Sequence, residues 1–193
     1  LTLSKIDAER PNFEGAKFVM SPPLRDARNQ AILWKALQEG EIDTVATDHA
    51  PFDFATQKQM GREDFTRIPN GIPSLEDRIR LLYTYGVCKG KMDLCTMVRV
   101  ASTNVAKCFD LYPRKGSIEV GADADLVVFD PEYRGTISAA THSMNVDYSA
   151  FEGWPIHGCA TEVAVRGQLA VRGGKFAGEI GRGQFLKRKP SHF

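Results

Sequence analysis

Ile42-Asp43-Thr44-Val45-Ala46-Thr47-Asp48-His49-Ala50-Pro51-Phe52 is the stretch on which the reading of this chain turns. Residues 42–47 form a short, mostly apolar and β-branched run, the pattern of a buried strand in a parallel sheet. The run stops at an aspartate, a histidine and a proline. In parallel α/β barrels, catalytic groups stand at the carboxyl ends of strands, which is where Asp48 falls. An ionised carboxylate there is costly unless a metal or cation compensates it. Aspartate also caps turns, and the pattern alone leaves both readings open. Side chains alternate along a strand, so Asp48 facing a barrel mouth puts His49 behind it as a brace.

Alternation of strand and helix signals continues on both sides. Lys17–Ser21 reads as a short extended run ended by Pro22 and Pro23. Asp26–Glu39 carries a helical stripe of Ala31, Leu33, Trp34 and Leu37, with Gly40 as its C-cap. Residues 53–70 are polar, lack a period and end in Pro69-Asn70-Gly71-Ile72-Pro73, the mark of a functional loop. Ser74 and Asp77 have capping-box spacing before a helix whose inner face is Leu75, Ile79, Leu82 and Tyr83. Asp93 opens a further helix, which Ser102-Thr103-Asn104 interrupts. Beyond Pro113 glycines punctuate short extended runs, and Glu162–Phe176 reads as strand, turn, strand, turn with a hairpin at Gly173-Gly174. That segment predicts half of a β-sandwich. Residues 181–193 are basic and lack a core pattern, so they read as an exposed arm.

Composition bounds the possibilities. The chain has 193 residues, with 25 Lys and Arg against 24 Asp and Glu for a net charge of +1. Neutrality argues against nucleic acid or a membrane surface as partner. No apolar run reaches the roughly 18 residues of a membrane span. Cys88, Cys95, Cys108 and Cys159 include no C-x-x-C pair and predict reduced, buried thiols of a cytoplasmic protein. The four histidines show no chelating spacing, and His142 and His157 read as structural. Arg172-Gly173-Gly174-Lys175 lacks the first glycine and the final Ser or Thr of a phosphate loop. Tyr83 and Tyr85 read as packing residues. Leu1 opens the chain without an initiator Met or a signal-peptide pattern. A complete (β/α)8 barrel of about 250 residues exceeds the length available.

Three blocks resemble the cyclic amidohydrolases, most of all the dihydropyrimidinase/D-hydantoinase branch: residues 19–25 (VMSPPLR), 47–52 (TDHAPF) and 61–78 (GREDFTRIPNGIPSLEDR). Residues 116–128 are similar to the segment by which these enzymes re-enter their sandwich domain. The resemblance implies an α/β fold with three parts. Residues 1–112 would be the last strand–helix units of a metal-dependent (β/α)8 barrel, 113–180 the C-terminal part of a β-sandwich, and 181–193 a basic arm. It implies a binuclear divalent metal, usually zinc, with Asp48 as one ligand. Such a pair acidifies a bridging water and polarises the scissile carbonyl, while Asp48 carries the proton to the leaving ring nitrogen. Ser21 and Asn70 match positions that hold the ring through main-chain groups, which suits tight turns.

Dihydroorotases place a histidine where this chain has Phe52; an apolar side chain there suits a neutral cyclic diamide, and simple packing accounts for it equally. The family's H-x-H pair, carboxylated lysine and remaining histidine ligands fall on earlier strands absent from this sequence. The resemblance therefore implies a portion of an enzyme that is inactive alone, acts on a small cyclic amide when complete, and assembles as a homotetramer. The alternative is a non-catalytic scaffold of the collapsin-response-mediator type, against which the intact TDHAPF motif weighs. A free-standing β-rich binding module is the third reading.

Overall fold

The computed structural model describes residues 1–188; most of the basic tail's charge lies in its described part, and Lys189 to Phe193 fall outside it. Helix α1 (Lys5–Ala8) is fixed by a capping box in which the Asp7 carboxylate accepts from the Ser4 amide. Helix α2 (Arg28–Glu39) ends at Gly40, which takes φ 81° and donates to the Ala36 and Leu37 carbonyls, as its sequence predicts. Only one side of α2 is covered: Trp34, Ala36 and Leu37 are buried, whereas Ala31, Ile32 and Leu33 face solvent. The stripe expected through Ala31 and Leu33 is thus wider than the surface available to cover it.

Helix α3 (Arg78–Leu81) runs into a π-turn at Leu82–Val87. Helix α4 (Leu94–Val98) starts where Asp93 predicts, the aspartate accepting from the Thr96 amide at 2.6 Å. A second π-turn, Arg99–Thr103, joins α4 to α5 (Asn104–Cys108). The interruption expected at residues 102–104 is therefore a widened turn rather than a break. Thr103 and Asn104 use it to reach outward, to the Gly116 and Asp43 carbonyls.

Four strands follow: β1 (Leu126–Thr136), β2 (Pro155–Val165), β3 (Gln168–Arg172) and β4 (Lys175–Phe176). They form one antiparallel sheet in the order β1-β2-β3-β4. Pro131, which has no amide to donate, sits in the irregular stretch of β1 between Asp130 and Arg134. The β2–β3 turn places Arg166 and Gly167 at φ 48° and 74°, and the β3–β4 turn places Gly173 and Gly174 at 55° and 73°. Two successive positive φ values match the twist of a two-residue hairpin, so the Gly-Gly signal was a turn and not a phosphate loop. Val127, Val128 and Phe176 remain exposed, because the described residues supply a single sheet and no second layer to face it.

Two extended runs lack the ladder their pattern predicts. Lys17 and Phe18 close a 3-10 turn, Glu14–Phe18; Val19 is extended, and residues 19–21 have no strand partner among the described residues. Residues 42–47 likewise form no ladder. A parallel strand is held by neighbours on both sides, and none is present among the described residues. Helical residues satisfy this run instead: Val45 donates to the Val100 carbonyl at 3.0 Å, and the Val45 carbonyl accepts from Arg78 at 3.1 Å.

Two apolar clusters hold the chain together. Trp34, Leu37, Leu82, Met92, Met97 and Val100 pack the helices. Phe18, Ile72, Leu81, Ile137, Phe151 and Ile156 join residues before and after Pro113. The same seam has polar stitching, in which Thr84 Oγ exchanges hydrogen bonds with the His157 amide and carbonyl. Tyr83 meets the Phe129 ring edge-on at 4.8 Å, and Tyr85 donates to the Pro155 carbonyl; both tyrosines pack, as expected.

Asp77 stands at the N-cap of α3, but its side chain makes no capping bond. Its side chain is buried 3.1 Å from His142 Nε2, outside a linear hydrogen bond, and burial raises the carboxyl above its ordinary range. Ser74 likewise turns its hydroxyl away, to the Thr47 carbonyl, and Leu75 of the expected inner face is exposed. Long-range partners outcompete the local box at both positions. His142 is structural, as expected. The cysteines are free, but Cys88 and Cys95 are exposed rather than buried. Among the described residues, no helix is long and apolar enough to cross a membrane.

Candidate active site

Three segments meet around the motif. The Ala50 amide donates to the Ile72 carbonyl at 3.3 Å, and the Gly71 amide donates to the Val19 carbonyl at 3.0 Å. Residues 19–21, 47–50 and 69–74 are therefore laced together, and Ser21, Asp48 and Asn70 each lie within two residues of one of these bonds. All three are exposed. Asp48 adopts φ 47°, a left-handed conformation unusual for a residue with a Cβ.

His49, next in the chain, is engaged: its Nδ1 accepts from the Ser74 amide at 3.1 Å. The positive φ of Asp48 takes this pair out of the strand conformation on which the expected alternation rests. Asp48 has no hydrogen bond or ion pair among the described residues. It does not face an enclosed mouth. A cavity of about 250 Å3 is lined by residues including Met20, Thr47, Ile72 and Ser74, and Asp48 is not among them. Asp48 is open to solvent.

Gly71 is buried at φ 150°. A Cβ there would lie 2.5 Å from both the Ala50 carbonyl oxygen and its Cβ. The close approach of the two segments thus depends on a missing side chain.

One residue that sequence reasoning passed over sits at the centre of the lacing. Lys58 is fully buried. Its Nζ donates to the carbonyls of Val19 at 3.0 Å, Pro69 at 2.6 Å and Gly71 at 2.9 Å. Three acceptors match the three protons of an ammonium. Burial pulls its pKa down to about 8, which leaves it protonated at neutral pH. The Phe52 ring lies 5.7 Å from the same nitrogen, so Phe52 packs against the lysine. No spacing or motif marks Lys58, whose partners lie 11 to 39 residues away in sequence.

The polar segment carrying Lys58 is itself tied down. The Asp147 carboxylate accepts from the amides of Phe54 and Ala55 at 2.6 and 2.7 Å, and 3-10 turns form at Lys58–Gly61 and Phe65–Arg67. The expected loop is therefore an ordered one.

Comparison with known proteins places this arrangement. The family model of the amidohydrolase family matches residues 18–170. The chain belongs to the amidohydrolase family. It is similar to D-hydantoinase of Geobacillus stearothermophilus, with 50% identity over 97% of this chain and 40% of that protein. Among solved structures, dihydropyrimidinase from Brevibacillus agri NCHU1002 superimposes with a TM-score of 0.97 at 51% identity, covering 99% of this chain and 41% of that one. D-hydantoinase (dihydropyrimidinase) from Thermus sp. gives 0.95 at 58% identity, over 100% and 42%. The chain thus spans about 40% of the length of the relatives it matches.

Amidohydrolases depend on metal, and the fit of these residues is partial. Asp48 offers one uncommitted carboxylate. Among the described residues, no group of three or more His, Cys, Asp or Glu side chains is close enough to hold an ion. These residues alone therefore do not fit a binuclear centre.

Proposed function

We propose that these residues form the C-terminal portion of a cyclic amidohydrolase that opens a dihydropyrimidine or hydantoin ring to an N-carbamoyl amino acid. The names of the high-identity relatives support the reaction class. The observation that carries the reading is Asp48, a carboxylate without a partner among the described residues, on a left-handed turn between two recognition turns. In this reading residues 1–112 belong to the barrel, 113–180 to the sandwich, and the remaining metal ligands come from elements outside these residues. The bound pair of divalent ions, zinc being the first candidate, would acidify the attacking water and polarise the ring carbonyl.

The chain's own residues have separate tasks. Asp48 contributes one ligand and shuttles a proton: its carboxylate takes it from the attacking water and returns it to the departing ring nitrogen. His49 holds the backbone behind it through the Ser74 amide. Main-chain groups at Ser21 and Asn70 grip the ring, so the rigidity of their turns sets the ring's orientation. Phe52, half-buried against Lys58, keeps a further charge from the region, which suits a neutral ring. We infer a cytoplasmic homotetramer; four free thiols support the compartment.

The deciding experiment is hydrolysis of dihydrouracil and hydantoin by the full-length, metal-loaded protein and its Asp48→Ala variant. Turnover by the parent and at least about a hundredfold loss in a folded variant is expected, the scale of a proton-transfer residue. A variant retaining near-normal turnover removes Asp48 from the mechanism.

A further inference from the structure

We infer that Lys58 is a positioning residue for ring recognition, holding the turn that bears Ser21 and the turn that bears Asn70 at a fixed separation. The inference rests on the reading of those turns as the ring-binding elements.

The argument is geometric. Two recognition turns that work through main-chain groups have no side chain to adjust if they drift, so their relative placement must be set by something else. Among the described residues a single direct bond joins them, from the Gly71 amide to the Val19 carbonyl, and one bond leaves a hinge. Lys58 Nζ adds contacts to Val19 on one side and to Pro69 and Gly71 on the other. Pro69 and Gly71 flank Asn70, and Val19 lies two residues before Ser21. The ammonium therefore fixes Asn70 from both sides and relates it to Ser21. A neutral side chain of the same length fills the volume but leaves the three carbonyls, that of buried Gly71 among them, with fewer donors.

The lysine is also locked from behind. Its segment hangs from Asp147 through the Phe54 and Ala55 amides, and Tyr148 donates to the Lys17 carbonyl. The clamp is continuous from residues 147–148, through Lys58, to both turns. Among the described residues no hydrogen bond or ion pair joins Lys58 to Asp48, so proton transfer at Asp48 does not run through it.

A positioning role and a merely structural one separate in the kinetics. Loss of folded protein lowers apparent turnover without moving KM, whereas misplaced recognition groups raise KM. The test is steady-state hydrolysis of dihydrouracil by full-length protein carrying Lys58→Met or Lys58→Arg, with metal content measured on each. For Lys58→Met the expectation is a KM about tenfold higher, kcat per metal-loaded site within about threefold and unchanged metal content. Arginine keeps the charge but its planar fork does not match three converging carbonyls, so Lys58→Arg raises KM by a smaller factor. Should Lys58→Met fail to fold, Lys58→Arg decides on the same readout. A KM equal to the parent's in either folded variant overturns the inference. A parent that hydrolyses neither dihydrouracil nor hydantoin instead overturns the reading of the site on which it rests.

Discussion

Replacing Gly71 with alanine tests whether the spacing of the laced segments matters to the chemistry. The new Cβ would stand 2.5 Å from the Ala50 carbonyl oxygen, where ordinary contact begins at 3.4 Å. Residues 50 and 71 must then part by about 1 Å, since backbone cannot swing aside as a flexible side chain can. Alanine at a φ of 150° adds about 1–3 kcal/mol of backbone strain. A displacement of that size near reacting groups costs on the order of a hundredfold in rate. The expected outcome in the full-length protein is therefore a fall of about that size in kcat/KM on dihydrouracil, with a lower urea midpoint. Gly90→Ala supplies the control, because Gly90 also has positive φ, 66°, but nothing lies within 4 Å of its Cβ position. It should lose stability and keep its kcat/KM. If Gly71→Ala retained kcat/KM within about threefold of the parent, the claim that close approach of residues 50 and 71 sets the site would be wrong.

Two further outcomes concern stability. Asp93→Ala removes the cap of α4 and should lower the urea midpoint, whereas Asp93→Asn, which keeps an acceptor, should lower it less; equal losses would remove the cap from the account. Lys58, with a folded pKa of about 8 against the ordinary 10.5, gives a pH dependence whose sign is fixed. Between those values the unfolded chain binds more protons than the folded one, so this group's contribution to stability rises with pH. The stability difference between parent and Lys58→Met should shift in the parent's favour from about pH 8 to pH 10.5, and a flat difference would refute the buried ammonium.

Local signals were legible where a few neighbouring residues decide the outcome. Gly40 ends α2 because a residue without Cβ enters the left-handed region cheaply, and Asp93 starts α4 because its carboxylate reaches an amide three residues on. Gly173-Gly174 turns the chain for the same steric reason as Gly40. Local reasoning failed at Ser74 and Asp77, whose spacing satisfies a capping box while their side chains bond to Thr47 and face His142. It failed for residues 42–47 as well, since an apolar β-branched run states that a strand is favourable and says nothing about whether neighbours are present to pair with it.

Sequence by itself determined the family blocks, the end of α2 at Gly40, the start of α4 at Asp93, the Gly173-Gly174 hairpin and the position of Asp48 at the end of an apolar run, all of which depend on residues close together in the chain. Tertiary structure alone decided that Lys58 is an anchor rather than one more loop cation, that Gly71 must lack a side chain, and that Asp77 lies buried against His142. The reason is desolvation. A polar group's role is set by whether water can reach it, and that depends on segments tens of residues away folding over it.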